Sequence, residues 1–204
     1  MSKVADRDWL SWSTSSNGTS CRVVSSVTVI LGPASEWGLW TRSPCGKTAI
    51  IAQIGRLVND YGVRNLKIAD EMFVLNRRHI NGMCDAIIEH GYDLNMWAYA
   101  RVDTIRDRET MDKLKQAGVN WLCPGIESGS ERVLKDVEKG YTQEMVYETI
   151  EQVRAAGINV IANFIFGLPE DDLQSMQDTL DLAMELNCEF ANFYSSMAYP
   201  GSRL

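Results

Sequence analysis

The segment EMVYETIEQVRAAGINVIANFIFG, which runs from Glu144 to Gly167, decides the fold class of this chain. Its first half, Glu144–Ala156, has the apolar spacing of an amphipathic helix, and its second half, Ile158–Gly167, is an apolar run typical of a buried strand. Gly157 lies between them and predicts a helix end, because glycine tolerates the left-handed conformation that closes a last turn. The segment therefore predicts one helix and strand of an α/β fold.

The same unit recurs from about residue 47 onward. The predicted helix ends follow one another at intervals of 27 to 39 residues, the length of one helix and one strand, and the longest interval holds an extra short helix, Glu131–Glu138. Such alternation predicts a parallel sheet with right-handed crossovers. No G-x-G-x-x-G follows the first strand, so the pattern favours a partial (β/α) barrel, although a doubly wound sheet also suits it. The predicted helix ends are Gly62, Gly91, Gly118, Gly157 and Asn187.

Composition and charge limit the classes of function. The 204 residues are 45% hydrophobic and 23% charged, as in an ordinary soluble domain. A net charge of −7 argues against a broad surface for nucleic acids or anionic membranes. The apolar run Val23–Leu31 is too short to span a bilayer and lacks the basic flank of a signal peptide. We therefore expect a cytoplasmic protein.

The five cysteines, Cys21, Cys45, Cys84, Cys123 and Cys188, are scattered, and no two are closer than 24 residues. This spacing does not suit a local metal knuckle. An odd, scattered set without a secretion signal predicts reduced thiols that pack as small hydrophobic side chains.

Polar residues lie where the predicted strands end. Because the carboxyl ends of parallel strands meet at one edge, these residues predict a ligand site there. Paired acids at such a place can act as general acid and base, bind a metal or pair with an arginine, and Glu127 can equally be solvated beside a helix capped by Ser128 or Ser130. The candidates are Asp70 and Glu71, Arg101 and Asp103, and Glu127 with Ser128.

Five segments resemble, in the same order, strand-end motifs of radical S-adenosylmethionine enzymes. The resemblance covers residues 40–204 and is to the branch that often carries an N-terminal cobalamin-binding domain, such as anaerobic magnesium-protoporphyrin cyclase-like oxidoreductases. The segments are YGVRNLKIADEMFVLN, WAYARVDT, LKQAGVNWLCPGIESGSERVLKDVEKG, AAGINVIANFIFGLPED and FANFYSSMAYPGS.

The resemblance implies a partial (β/α)6 TIM-type barrel, truncated at both ends, with a [4Fe–4S] cluster and S-adenosylmethionine at its C-terminal mouth. Enzymes of this family cleave S-adenosylmethionine reductively to a 5′-deoxyadenosyl radical, which takes hydrogen from a small-molecule substrate. The electron would come from a donor such as a flavodoxin or ferredoxin. Cobalamin is implied only together with a further N-terminal domain.

The resemblance also gives expected roles by position, without identifying a catalytic residue or a metal ligand. Asp70 and Glu71 correspond to the motif that contacts the methionine amino group. Ribose or carboxylate contacts are expected from Arg101, Asp103 and Glu127, with Ser128 as a further cofactor-binding candidate. Packing against the adenine is expected from Phe166, Gly167, Leu168 and Met197.

One motif of the family is missing. The cluster is normally held by C-x-x-x-C-x-x-C after the first strand, and the corresponding stretch, about Thr19 to Arg42, contains only Cys21. Three explanations of the missing motif are open. The chain is a degenerate member of the family, a fragment of a longer protein, or a sequence altered before Trp40 by a reading-frame or gene-model error. The Ser- and Trp-rich composition of residues 1–39 favours the third explanation.

We therefore expect an atypical segment at 1–39, disordered or mistranslated, followed by a radical S-adenosylmethionine core at 40–204 that is impaired in reductive cleavage. The alternative is a catalytically inactive module that binds S-adenosylmethionine or a protein partner. A hydrolase or aldolase using Asp70, Glu71 and Arg101 is a third interpretation, which the lack of a nucleophile motif disfavours.

Overall fold

The described residues form one parallel sheet of six strands, in which each strand pairs with the next one along the chain. The structure, a computed structural model, describes residues 26–29, 45–70, 73–105, 107–198 and 200–201. A doubly wound fold requires a point where the strand order reverses, and this sheet has none. The prediction of a six-stranded partial barrel is therefore confirmed. The strands are β1 (Ser26–Val29), β2 (Asn65–Ile68), β3 (Asn95–Arg101), β4 (Val119–Glu127), β5 (Asn159–Phe166) and β6 (Phe190–Ser195).

Six α-helices connect the described strands, and their bounds lie close to those expected from the sequence. Thr142 caps one helix by accepting a hydrogen bond from the Met145 amide, as its position predicted. Among the described helices, none is both long and apolar enough to cross a membrane. The helices are α1 (Cys45–Tyr61), α2 (Arg77–Glu89), α3 (Arg108–Gln116), α4 (Glu131–Asp136), α5 (Gln143–Ala155) and α6 (Leu173–Leu186), with a 3₁₀ turn at Val102–Thr104.

The five predicted helix-end residues all have a positive φ. The requirement is strictest at Gly118, where φ is 97° and an added Cβ would lie 2.2 Å from the Leu94 carbonyl oxygen. Asn187 serves the same purpose at the end of α6 with φ 43°. These residues turn the chain directly from each helix into the following strand, which sets the order of the sheet.

The two faces of the sheet differ in composition. One face packs against the helices and is built from fully buried residues such as Leu66, Met96 and Leu122. Alternation along the strands directs the remaining side chains to the opposite face, which we call the open face. It carries Lys67, Trp97, Tyr99, Trp121, Cys123 and Asn163.

Strand β1 lies in the stretch that the sequence predicts to be atypical. It pairs with β2 in register, Val27 opposite Leu66. Most of the expected cluster loop, about residues 19–42, lies outside the described residues. The domain boundary at residue 40 stays a prediction.

Candidate functional site

The carboxyl ends of β3 and β4 bring two ion pairs to the same mouth of the barrel. Arg101 is the last residue of β3 and lies opposite Gly125 of β4. Its guanidinium donates two hydrogen bonds to the Asp103 carboxylate, from Nε at 2.9 Å and from Nη2 at 2.8 Å. This bonding raises the pKa of Arg101. Arg101 and Asp103, both predicted site residues, are therefore each other's partners within the protein.

The second ion pair joins Glu127, the last residue of β4, to Lys139. The Lys139 Nζ lies 2.8 Å from the Glu127 Oε1, and the two side chains are only 28% and 15% exposed. Glu127 has a φ of 65°, in the left-handed region that non-glycine residues rarely adopt. Gly125 leaves room for its carboxylate, since a Cβ there would lie 2.9 Å from Oε1. The left-handed backbone of Glu127 and the space beside Gly125 thus allow this carboxylate to lie back against β4.

Tyr141 forms hydrogen bonds with the end of β4, at the two residues just before Glu127. Its hydroxyl lies 3.1 Å from the Gly125 carbonyl oxygen and 3.2 Å from that of Ile126. Burial raises the pKa of Tyr141, and the nearby Glu127 carboxylate raises it further. The phenol therefore stays a neutral hydrogen-bond donor, and it holds the two residues that precede the unusual conformation.

Ser128 is fully buried, with its hydroxyl used within the fold. Its Oγ accepts a hydrogen bond from the Ser130 amide at 3.1 Å and lies 3.3 Å from the Thr179 hydroxyl of α6. The Gly129 amide donates to the same Thr179 oxygen at 2.9 Å. These bonds anchor the turn after β4 to α6. The expected role of Ser128 in cofactor binding stays a prediction.

Of the two candidates that follow β2, the structure describes only Asp70. Asp70 follows β2 and is only 4% exposed, with its carbonyl oxygen accepting from the Phe73 amide. Glu71 lies outside the described residues. Their expected contact with a methionine amino group stays a prediction.

The residues expected to pack against adenine are distributed around the end of β5. The Phe166 ring stacks on Phe193 at 5.2 Å, as does the ring of Phe164, on the side of the sheet opposite Asn163. An adenine at the mouth would therefore meet the backbone of Phe166 rather than its ring.

The other three adenine candidates differ in exposure and bonding. The amides of Gly167 and Leu168 both donate to the Asp171 carboxylate, at 2.8 and 3.1 Å. The side chain of Met197 is 67% exposed. The expected adenine contacts of these residues stay predictions.

Sequence reasoning did not single out Lys139, Tyr141, Asn163 or Asn192. The Asn192 amide donates to the Asn163 Oδ1 at 3.1 Å, linking β5 and β6 on the open face. An asparagine in the middle of an apolar strand, as in INVIANFIFG, is the signal that could have indicated Asn163. Lys139 and Tyr141 flank a glycine after α4, and nothing in their local sequence indicates that they return to β4.

The three cysteines whose side chains the structure describes do not fit the iron–sulfur cluster that the resemblance implies. Cys84 lies on α2, Cys123 on β4 and Cys188 after α6, and burial raises the pKa of the first two thiols to about 12. Cluster ligands are thiolates, which such burial disfavours. In the described part of the chain, no group of three or more Cys, His, Asp or Glu residues could hold a metal ion.

Several known proteins resemble this chain in sequence. It is 28% identical over 173 residues to the anaerobic magnesium-protoporphyrin IX monomethyl ester cyclase of Cereibacter sphaeroides, covering 81% of this chain and 28% of the cyclase. It is 27% identical over 155 residues to an uncharacterized methyltransferase of Pyrococcus horikoshii, covering 76% of this chain and 34% of that protein. The chain thus spans about a third of the length of these relatives.

Solved structures share the fold. The coproporphyrinogen III oxidase HemN of Escherichia coli, a radical S-adenosylmethionine enzyme, matches with a TM-score of 0.71 at 16% identity, over 86% of this chain and 45% of HemN. The methyltransferase TsrM of Kitasatospora setae, solved with cobalamin and a [4Fe–4S] cluster, matches with a TM-score of 0.67 at 18% identity, over 75% of this chain and 29% of TsrM.

A family model adds the sequence evidence that structural likeness at such low identity does not supply. It matches residues 50–183, from the middle of α1 to the last turn of α6, and so includes both ion pairs at the mouth. The chain therefore belongs to the radical SAM superfamily.

Proposed function

We propose that this domain binds S-adenosylmethionine at the mouth formed by the carboxyl ends of β2 to β5. The observation that carries the proposal is Glu127, held in a left-handed conformation at the end of β4 with its carboxylate 2.8 Å from Lys139. Strained backbone of this kind persists only where its surroundings maintain it, and it concentrates at ligand sites. Membership of the radical SAM superfamily identifies the ligand class.

The charges at the mouth suit the amino-acid part of this ligand. Carboxylates such as Glu127 and Asp103 accept hydrogen bonds from an ammonium group or from ribose hydroxyls. Lys139 and Arg101 can pair with the ligand's carboxylate. Because the amino-acid part of the ligand carries both an ammonium and a carboxylate, these two groups can exchange partners with the two ion pairs without leaving a carboxylate or an ammonium of the mouth unpaired, which would be costly at a half-buried site. Asp70 and Glu71 complete the proposed methionine contacts.

The reaction that we propose for this chain leaves out part of the chemistry of the family. The chain contains no C-x-x-x-C-x-x-C, and the described cysteines do not fit a cluster. We therefore include no cluster-dependent step: this chain is a domain of radical S-adenosylmethionine oxidoreductase type that is impaired in reductive cleavage. Its alternative is a cofactor-binding module without chemistry. We propose a flavodoxin or ferredoxin donor only together with the cluster, and cobalamin only together with an N-terminal cobalamin-binding domain.

The proposal includes a small-molecule substrate, because the open face of the barrel lies directly below the proposed cofactor mouth. It also keeps the cytoplasmic location, which is consistent with the free thiols of Cys84, Cys123 and Cys188.

Calorimetric titration of the full chain with S-adenosylmethionine tests the binding proposal. Glu127→Gln should weaken binding about tenfold, because the amide cannot pair with an ammonium. Glu148→Gln, at an exposed position on α5, is the matched control and should leave the affinity unchanged. Binding that is absent, or that is equal in both variants and the parent, contradicts the proposal.

Anaerobic reconstitution with iron and sulfide tests the proposed impairment. We expect far less than a stoichiometric cluster and little of its visible absorbance, because three closely spaced thiolates are missing. A bound complement of about four irons per chain contradicts this part of the proposal while leaving the binding part intact.

A further inference from the structure

The open face of the sheet carries a lysine whose charge is not balanced by a carboxylate of the described residues. Lys67 projects from the middle of β2 and forms no salt bridge within the described part of the chain, whereas Arg101 and Lys139 at the mouth each do. Its Nζ lies 4.3 Å from the centroid of the Trp97 ring and 5.7 Å from that of Tyr99. A half-buried ammonium on aromatic rings keeps a strong preference for an anion.

Further flat aromatic side chains lie on the open face beyond the two that contact this ammonium. Trp97 pairs in register with Trp121 on the neighbouring strand, so both indoles project from the open face on adjacent strands. Tyr99 lies 5.6 Å from Trp97, and Phe190 meets Trp121 edge to face at 6.1 Å. Surfaces of this kind favour ligands with an extended π system, because a flat ring stacks on them without a directional requirement.

The cluster lies inside the barrel, below the proposed cofactor site. Lys67 precedes Asp70 by three residues and Trp97 precedes Arg101 by four, so the cluster lies about 10 to 13 Å from the mouth along the strands. A molecule on the open face would therefore lie beside a cofactor bound at the mouth and be shielded on its other side by the sheet.

We propose that Lys67, Trp97 and Trp121 bind the small-molecule substrate of this domain and select a flat, conjugated compound that carries a carboxylate. The carboxylate pairs with the Lys67 ammonium while the conjugated part stacks on the indoles. This inference rests on the proposed function, since it names the substrate class of the same barrel.

The probe for this inference is 2-naphthoate, titrated into the full chain and followed by the anisotropy of its own fluorescence, with 2-naphthamide as its neutral analogue. A ligand of this size should bind with a Kd in about the millimolar range. The parent chain should bind the naphthoate at least about tenfold more tightly than the amide. Cyclohexanecarboxylate, which is anionic but not flat, should displace the bound naphthoate only with an inhibition constant well above the Kd of naphthoate itself.

Substitutions at two positions separate the contribution of the charge from that of the aromatic surface. Lys67→Met should bring the affinities for naphthoate and naphthamide to within about twofold of each other, whereas Lys67→Arg should keep the preference. Trp97→Leu should weaken both ligands and leave their ratio unchanged. Lys135→Met, at an exposed lysine on α4, is the matched control and should behave as the parent chain.

The inference is overturned if the parent chain does not distinguish naphthoate from naphthamide, if naphthoate fails to bind at about 10 mM, or if Lys67→Met keeps the preference. It is also overturned if cyclohexanecarboxylate competes as well as naphthoate. Titration of the same proteins with S-adenosylmethionine distinguishes the two proposals. If naphthoate binds selectively through Lys67 but S-adenosylmethionine does not bind, only the proposed function is overturned. If S-adenosylmethionine binds but naphthoate shows no selectivity that depends on Lys67, only this inference is overturned.

Discussion

The Nζ of Lys139 lies 2.8 Å from the Oε1 of Glu127, although the two residues belong to different elements and Lys139 follows a short helix. The pair ties the segment after α4 to the end of β4. Because Glu127 also has a left-handed backbone, the lysine stabilises a conformation that the residue would not adopt on its own.

Replacing Lys139 by methionine should destabilise the protein. The carboxylate of Glu127 is only 15% exposed and would lose its cation, which we expect to lower the free energy of unfolding by about 1 to 2 kcal/mol. Urea denaturation measures this change. Lys139→Arg should restore most of the loss, and Lys135→Met should have no effect. An equal effect of both Met substitutions would show that the ion pair is not the cause.

Gly118→Ala should be among the most damaging small substitutions in the chain. The φ of 97° disfavours any side chain, and the new Cβ would lie 2.2 Å from the Leu94 carbonyl oxygen, a backbone atom that cannot move away easily. We expect a loss of about 3 kcal/mol or more, measured by thermal or urea denaturation. Gly140→Ala is the matched control, because nothing lies within 4 Å of its added Cβ. Comparable losses at both positions would contradict the steric explanation.

Gly125→Ala should affect ligand binding more than stability. The added Cβ would lie 2.9 Å from the Glu127 Oε1, so the carboxylate must move away from its present position, whereas the backbone of Gly125 has no unusual φ. We expect S-adenosylmethionine affinity to fall about threefold to tenfold, with less than about 1 kcal/mol lost in stability. Calorimetry and urea denaturation on the same protein measure the two effects, and unchanged affinity would show that the carboxylate position does not matter for the ligand.

Alkaline pH should destabilise the fold through its buried thiols. Burial raises the pKa of Cys84 and Cys123 from 9.0 to about 12, so the folded protein holds these protons more tightly than the unfolded chain does. The stability they contribute is complete below pH 9 and is lost as the pH rises from 9 towards 12. Each thiol should steepen the decline by about 1.4 kcal/mol per pH unit.

Urea denaturation between pH 8 and about 10.5 measures this dependence. Cys123→Ala should remove one thiol's share of the slope, with the loss of packing appearing as an offset that does not vary with pH. An unchanged slope in that variant would contradict the assignment.

Much of the fold follows from local chemistry that a single sequence displays. The helix ends at Gly62, Gly91, Gly118, Gly157 and Asn187 were predicted because a positive φ selects for those residue types, and all five have it. Strand β1 was not predicted, because four residues of Ser-Val-Thr-Val in a serine-rich stretch lack a local signal and depend on pairing with β2.

The candidate site was less predictable, because its contacts join residues that are distant in the sequence. The sequence indicated that Arg101 and Glu127 lie at strand ends, as the structure has them; it left open whether an acid there pairs with Arg101, and it did not indicate the pairing of Glu127 with Lys139. The roles of Asp171 and Asp172 likewise depend on contacts that the local sequence does not display: Asp172 is the N-cap of α6, and Asp171 accepts hydrogen bonds from the amides after β5.

The order of the strands has a consequence for how the chain is made. Each strand pairs with the one synthesised just before it, and none must wait for a partner that is still to come. Sequence separation between paired strands is therefore limited to one helix and its turns, which keeps the contact order low for a parallel sheet. As it leaves the ribosome, the barrel wall can lengthen by one strand at a time, so the described sheet exposes to misassociation only the edge of β1 and the edge of its newest strand.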